Sequence, residues 1–313
     1  MKAALITDTS QPPRYTDFAD PEPAAGEESV TMLAAGLHQI TRAQASGQHY
    51  ASPDRLPMIP GVDGVARRDD GSLVYCGGLR PPYGTFAERA AIASVAVPLP
   101  TDADPTVVAA TVNPGMSSWI VYKLRGELQA GQTVAILGAT GASGRAAVQA
   151  ARLLGAGRVI AIGRNADALA EIDADETVRI TADGDWAHPL GKVGGDVDLV
   201  VDYLWGEPAA QSMEALVTNR SDPARQLSWV QVGSMAGHTL PLNAGFLRAA
   251  NLHLLGSGLR GVPWSDIAAQ LPELIDHIVG GRISVRPVAR PLRDIATTWT
   301  EAVAPGERIV VVP

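Results

Sequence analysis

The stretch VAILGATGASGRAAVQAARLLGAGRVIAIGRN, residues 134–165, decides the fold. Residues 133–137 form an unbroken apolar segment, the composition of a strand covered on both faces of a parallel sheet. Residues 143–154 carry apolar side chains at 146, 147, 150, 153 and 154, which is one face of a helix. Residues 158–162 read as the next strand. Between the first strand and the helix stand Gly138, Gly141 and Gly144, three residues apart. Strand, glycine turn and helix in that order are the context of a dinucleotide-binding loop. Glycine lets the backbone come close to a pyrophosphate, the first N–H groups of the helix are unpaired, and the helix dipole favours negative charge there. Gly144 lets the helix pack near the strand. The spacing is G-x-x-G-x-x-G, so only the last two glycines fit the later part of the usual G-x-G-x-x-G; a turn used only for packing is the alternative.

The second strand ends in Gly163-Arg164-Asn165. A fold of this kind that prefers NAD places Asp or Glu there, on the ribose 2′-hydroxyl. Here no carboxylate precedes Asp167. A guanidinium at that place pairs with a 2′-phosphate, so the expected cofactor is NADPH rather than NADH. A solvated surface arginine is the alternative reading of Arg164.

Outward from this stretch the pattern continues as alternating strands and helices. Helices are expected over 166–172 and 208–217, and strands over 176–180, 196–204 and 227–232. That alternation predicts an α/β fold with a doubly wound parallel sheet, a Rossmann arrangement. Before about Pro105 the texture differs. Short apolar segments (3–6, 29–34, 73–76 and 91–98) are separated by Pro and Gly clusters, and Asp70-Gly71 reads as a hairpin turn. This suits a small β-barrel. Residues 105–125 read as helical segments broken at Pro114-Gly115. The tail predicts strands at 252–256, 283–288 and 308–312 and helices at 264–279 and 292–302.

Apolar residues make up 46% of the 313-residue chain and charged residues 19%, which excludes a disordered chain. The net charge is -8 with no dense basic run, so nucleic acid is not the expected partner. No apolar run is long enough for a membrane span. The apolar start of the chain is interrupted at Asp8, too early for a signal-peptide core. Cys76 is the single cysteine, in keeping with a reducing compartment, and a cytoplasmic location is expected. The six histidines and Cys76 show no zinc-ligand grouping, so no metal is expected. No tyrosine is followed four residues later by lysine, and neither a G-x-S-x-G elbow nor a G-x-x-x-x-G-K-[ST] loop is present.

Several segments then line up in order: LPMIPGVDGVA at 56–66, PYGTFAERAAI at 82–92, GATGASGRAAVQAARLLGA at 138–156, LVVDYLWG at 199–206, WVQVGSMAG at 229–237 and RIVVVP at 308–313. Over most of its length the chain resembles the zinc-independent quinone oxidoreductase branch of the medium-chain dehydrogenase/reductase family. The resemblance implies an N-terminal chaperonin-10-like β-barrel domain, residues 1–112, completed by the tail 258–313, and a Rossmann domain, 113–257. It implies that Gly141, Ala142 and Ser143 cradle the pyrophosphate and that Arg164 and Asn165 stand at the adenosine phosphate. Tyr203 would flank the adenine side, Gly233 and Ser234 the nicotinamide ribose, and Gly256 and Ser257 the nicotinamide, with Ser117 at a small-hydroxyl turn. A homodimer through the Rossmann edge strand, Leu252–Gly256, is also implied.

The segment GLHQITRAQASGQHY at 36–50 matches the family's N-terminal active-site stretch with departures: His38 stands where many members have asparagine, and Thr41 where they have aspartate. His38 and Tyr50 are the candidate catalytic residues, since imidazole titrates near neutrality and can donate a proton to a carbonyl oxygen. A hydrogen-bonded structural histidine and a loop lid are the alternatives. The activity implied is NADPH-dependent reduction of a small electrophilic substrate, a quinone or activated alkene, by direct hydride transfer. An enoyl-thioester or enone reductase, or an NADPH-binding sensor without turnover, are the other readings.

Overall fold

The computed structural model describes residues 1–52, 55–93, 95–258 and 260–313. The chain divides into two compact units, Met1–Asn113 with Leu271–Pro313, and Pro114–Gln270.

The first unit opens with β1 (Lys2–Leu5), antiparallel to β2 (Arg14–Asp17). Next come β3 (Glu28–Gly36), α1 (Gln39–Ala45), β4 (Asp63–Arg67), β5 (Leu73–Gly77), β6 (Arg89–Ile92) and β7 (Val95–Leu99). Strands β3, β4, β5 and β7 are successive antiparallel neighbours, and β6 pairs with the first half of β3. The expected turn at Asp70-Gly71 joins β4 to β5, with Gly71 at φ +86°. Side-chain alternation gives β3 two buried faces. Val30 and Met32 pack with Val74, Cys76 and Ile92, while Ala35 and Leu37 pack with Phe86, Ile309 and Val311. The single strand expected over 91–98 is two strands, because β6 belongs to β3 and β7 to β5; Ser94 lies outside the described residues.

Helix α2 (Pro105–Ile120) runs through Pro114 instead of breaking there, and a π-helical turn, Val121–Arg125, follows it. Proline removes one helical rung. The hydroxyls of Ser117 and Ser118 donate to the carbonyls of Pro114 and Gly115 nearby.

The second unit alternates strictly: β8 (Thr133–Leu137), α3 (Ala142–Leu153), β9 (Arg158–Gly163), α4 (Ala166–Ala170), β10 (Glu176–Arg179), α5 (Ala187–Gly194), β11 (Leu199–Asp202), α6 (Gly206–Thr218), β12 (Leu227–Gln231), α7 (Phe246–Ala249) and β13 (Leu252–Gly256). The six strands are parallel in the order β10-β9-β8-β11-β12-β13. This is the doubly wound Rossmann order, with its switch point between β8 and β11, where ligands of such sheets bind. Helix α5 was not legible in the sequence, because Pro189 and Gly191 hide its period; Leu190 anchors it in the core.

The chain closes with α8 (Trp264–Val279), β14 (Arg286–Pro291), α9 (Ile295–Thr298) and β15 (Glu307–Val312). Strand β15 lies parallel to β14 and antiparallel to β3, so the tail returns to the first unit. Strand β14 begins three residues later than expected, and Val285 spends its N–H on Thr111 Oγ1 at 3.0 Å. The helix expected over 292–302 shrinks to a 3-10 turn plus α9. Residues 258–270, assigned from sequence to the barrel, group with the Rossmann unit, because Val262 and Ile267 pack on Ile120, Met116 and Leu124. No helix among the described residues is long and apolar enough to cross a membrane.

Candidate functional site

Strand β8 ends at Leu137 and the chain turns at Gly138, φ +87°. The amides of Gly138 and Ala139 donate to the Ile162 carbonyl at 2.9 and 3.0 Å, fixing the turn to β9. Gly141 is the N-cap of α3, and no side chain caps the helix. The amides of Ala142, Ser143 and Gly144 therefore open the helix without an acidic or hydroxyl cap. A Cβ on Gly144 would lie 2.2 Å from the Gly138 carbonyl oxygen and 2.5 Å from Ala139 Cα, so helix and turn touch through glycine alone. A Cβ on Gly141 would meet nothing nearer than 3.6 Å, which leaves the outer side of the turn open to a ligand. The chemistry and shape suit a pyrophosphate.

At the end of β9, Arg164 is exposed. Asn165 is committed locally: its Oδ1 accepts the Ala168 N–H at 2.9 Å and caps α4. The register of β10 sets Arg179 opposite Gly163, and Arg179 Nε donates to the Arg164 carbonyl at 3.4 Å. Among the described residues neither guanidinium has an ion-pair partner. The sequence reading missed Arg179, since only strand register brings it here.

Strand β11 ends in Asp202, fully buried. Its Oδ1 accepts the N–H groups of Leu204 and Trp205 at 2.8 and 2.9 Å, and its Oδ2 accepts Trp229 Nε1–H at 3.1 Å. Burial raises its carboxyl pKa, and those three donors oppose the rise. This carboxylate thus holds the β11–α6 loop, in which Trp205 takes φ +54°. Tyr203 in that loop meets Ser117 through the two hydroxyls at 2.9 Å. Ser117 Oγ donates to the Pro114 carbonyl at 2.6 Å, which leaves Tyr203 as donor in the pair. Burial pushes the Tyr203 phenol up to about 12. Gly233 donates its N–H to the Asp202 carbonyl at 3.1 Å and lies against the Tyr203 backbone.

A cavity of about 430 Å³ opens at the carboxyl ends of β12 and β13, lined among others by Trp205, Gln231, Ser234, His238, Leu254 and Gly256. Ser234 Oγ and His238 Nδ1 are 3.2 Å apart. The Gly256 carbonyl accepts from Arg125 Nε at 2.9 Å, and the Ser257 N–H donates to the Gln231 carbonyl at 2.8 Å. The structure thus gathers Ser234 and Gly256 at one cavity, and Gly138, Tyr203 and Gly233 at one crossing of loops.

In the first unit, His38 is 2% exposed. Its Nε2 lies 3.0 Å from Asp63 Oδ1, Asp63 Oδ2 accepts the Tyr75 hydroxyl at 2.8 Å, and the Thr85 hydroxyl donates to the Asp63 carbonyl at 2.9 Å. Burial lowers the imidazole pKa more than Asp63 raises it, so the ring is neutral near pH 7. Nε2–H then donates to Asp63, and Nδ1 keeps its lone pair with no partner. Tyr50 is 52% exposed, its ring 4.1 Å from that of His49. One candidate catalytic residue is core and the other surface. Among the described residues no three His, Cys, Asp or Glu side chains gather as metal ligands.

No family model matches the chain. It is 29% identical, over the whole of both chains, to a probable NADPH-dependent quinone reductase of Emericella nidulans. It superposes on the quinone oxidoreductase of Thermus thermophilus with a TM-score of 0.83 at 24% identity, covering all of both chains. The chain has the quinone oxidoreductase fold. A probable oxidoreductase of Mycobacterium abscessus also matches, with a TM-score of 0.78 at 26% identity, covering all of this chain and 99% of that one. The resemblance read from the motifs is borne out. In this quinone oxidoreductase fold the glycine turn sits on β8, the strand beside the switch point of the sheet.

Proposed function

We propose that the chain is an NADPH-dependent oxidoreductase that reduces a quinone or another electron-poor alkene. The observation that carries this reading is the uncapped start of α3 behind a turn that only glycine permits, with Arg164 at the end of the next strand. The amides of Ala142, Ser143 and Gly144 would hold the pyrophosphate, and Arg164 the 2′-phosphate. Ser234 and Gly256, at the cavity of the second unit, would border the nicotinamide end. When bound, the nicotinamide supplies hydride at its C4. Quinones need little acid assistance, because the ring stabilises their reduced oxygens. That agrees with a histidine buried against Asp63 rather than a free surface acid. The relative from Emericella nidulans is named for the same cofactor and substrate class. The reading extends to a cytoplasmic homodimer formed through β13, the edge strand of the sheet, which exposes Leu254.

The test is steady-state NADPH oxidation against a panel of quinones, enones and enoyl thioesters. Turnover confined to quinones and simple enones is expected; turnover confined to thioesters gives the enoyl reductase, and tight NADPH binding with no turnover gives the sensor. Arg164→Ala is expected to weaken NADPH by about 1–3 kcal/mol, the size of a charge-assisted contact, and to leave NADH nearly unchanged. Equal losses for both carriers would remove the 2′-phosphate role.

A further inference from the structure

Strand β10 is an outer strand of the sheet in the second unit, and its last residue, Arg179, is set opposite Gly163 at the end of β9. The Ile180 N–H donates to the Gly163 carbonyl at 2.8 Å, which fixes the main chain next to this pairing. Residues paired across neighbouring strands send their side chains to the same face of the sheet. The Arg179 side chain therefore leaves on the face that a side chain at position 163 would occupy. Thr140, from the turn between β8 and α3, stands on that face: a Cβ on Gly163 would lie 2.8 Å from its Cγ2 and 3.3 Å from its Oγ1. Arg179 then reaches the end of β9, where its Nε donates to the Arg164 carbonyl at 3.4 Å. One main-chain carbonyl thus brings the second guanidinium to the residue that carries the first.

Arg164 and Arg179 are both exposed, so this corner opens to solvent and leaves room for a ligand. Four other arginines of the unit, Arg145, Arg152, Arg158 and Arg225, each hold a carboxylate. Among the described residues Arg164 and Arg179 hold none, and Asn165 beside them is spent on the cap of α4. Two neighbouring cations repel each other until an anion lies between them. A phosphate monoester suits the pair in charge as well as in shape. Its second proton leaves near about pH 6, so it carries close to two negative charges at neutral pH, and one guanidinium matches only half of them. In a sheet of this order the end of the second strand receives the adenosine ribose. The pyrophosphate belongs one strand away, at the amides that open α3.

We propose that Arg179 is a second determinant of cofactor choice, its guanidinium joining that of Arg164 on the 2′-phosphate of NADPH. The register of β10 on β9 supplies the fixed end of the side chain, and the phosphate supplies the partner that its Nη groups lack. The inference rests on the reading of NADPH as the carrier. It adds to that reading a residue that lies 15 positions from Arg164 in the chain.

Equilibrium titration of the intact protein with NADPH and with NADH, at constant ionic strength, tests the assignment without turnover. Arg179→Met, which keeps the apolar stem, is expected to weaken NADPH about ten-fold and to leave NADH unchanged, the mark of one lost charge-assisted contact. Adenosine 2′,5′-bisphosphate is expected to show the same loss and AMP none, since only the former carries the 2′ group. The loss is also expected to shrink from pH 7.5 to pH 5, as the phosphate takes up its second proton. Equal losses for both carriers, or no loss for either, overturn the proposal. Should Arg179→Met fail to fold, the Nε–H resonance of Arg179 in the wild type decides: displacement by adenosine 2′,5′-bisphosphate and not by AMP supports the contact, and no displacement overturns it. Arg164→Ala, titrated alongside, separates the two ideas. A loss of NADPH confined to Arg164→Ala overturns the role of Arg179 and leaves NADPH as the carrier, whereas a wild type that prefers NADH removes both.

Discussion

Gly144 is where one added carbon meets main chain on two sides, the Gly138 oxygen at 2.2 Å and Ala139 Cα at 2.5 Å. Neither neighbour is a flexible side chain that could swing away. Gly144→Ala is therefore expected to cost about 1–3 kcal/mol in urea unfolding and to weaken NADPH, because the turn that presents the amides must shift. His38 carries a pH dependence. Its imidazole pKa is lowered from 6.5 by burial, so the unfolded chain binds the proton more readily. The associated stability is present above pH 6.5 and is lost as pH falls through the lowered folded value. Asp202, raised from 3.8, acts with the opposite sign, favouring the folded state on the acid side. The urea midpoint of His38→Asn, compared with wild type from pH 8 to 5, isolates the imidazole: a flatter profile below pH 6.5 is expected, and parallel profiles would remove this assignment. At this scale the turn at Gly138 and the close approach at Gly144 were legible, because both follow from adjacent residues. The His38–Asp63–Tyr75 chain was not, since its members lie 25 and 12 positions apart and meet only when the strands pair. Asn165 shows the converse: a polar side chain expected at the adenosine phosphate is spent on a helix cap.

The elements of the second unit were the easiest to read. Strands β8 and β9 are continuous apolar runs, and the glycine loop marks the boundary between β8 and α3. The strand at Leu252–Gly256 was read to the residue, and among the described residues it pairs on one side only, with β12. Its other edge offers unpaired backbone groups next to the exposed Leu254. If the proposed homodimer forms through this edge, Leu254→Lys is expected to leave a monomer in size-exclusion chromatography; an elution volume equal to that of the wild type would reject this edge as the interface. The elements that escaped reading share a cause. Helix α5 holds Pro189 and Gly191, α1 is a single short helix between glycines, and β2 leaves mostly exposed residues. In each case tertiary packing, absent from any local pattern, supplies the order.

On the scale of the molecule, the two-part organisation followed from the change of texture near Pro105 and from the return of the tail. The second boundary was displaced by 13 residues, from 257/258 to 270/271, because Val262 and Ile267 look like connector residues until their packing on Ile120 is seen. The first unit is stitched from sequence extremes: Arg308 reaches the Leu37 carbonyl across 271 positions, and β15 fills the place between β3 and β14. The second unit, Pro114–Gln270, draws on one continuous stretch. This asymmetry bears on how the protein is made. During translation the central portion can mature as soon as it leaves the ribosome, while β3 must wait, half-zipped, for a strand not yet synthesised. Nascent chains stalled after residue 290 should accordingly yield a protease-resistant core from the middle of the chain and a labile amino-terminal portion, and resistance at both ends would contradict this order of assembly.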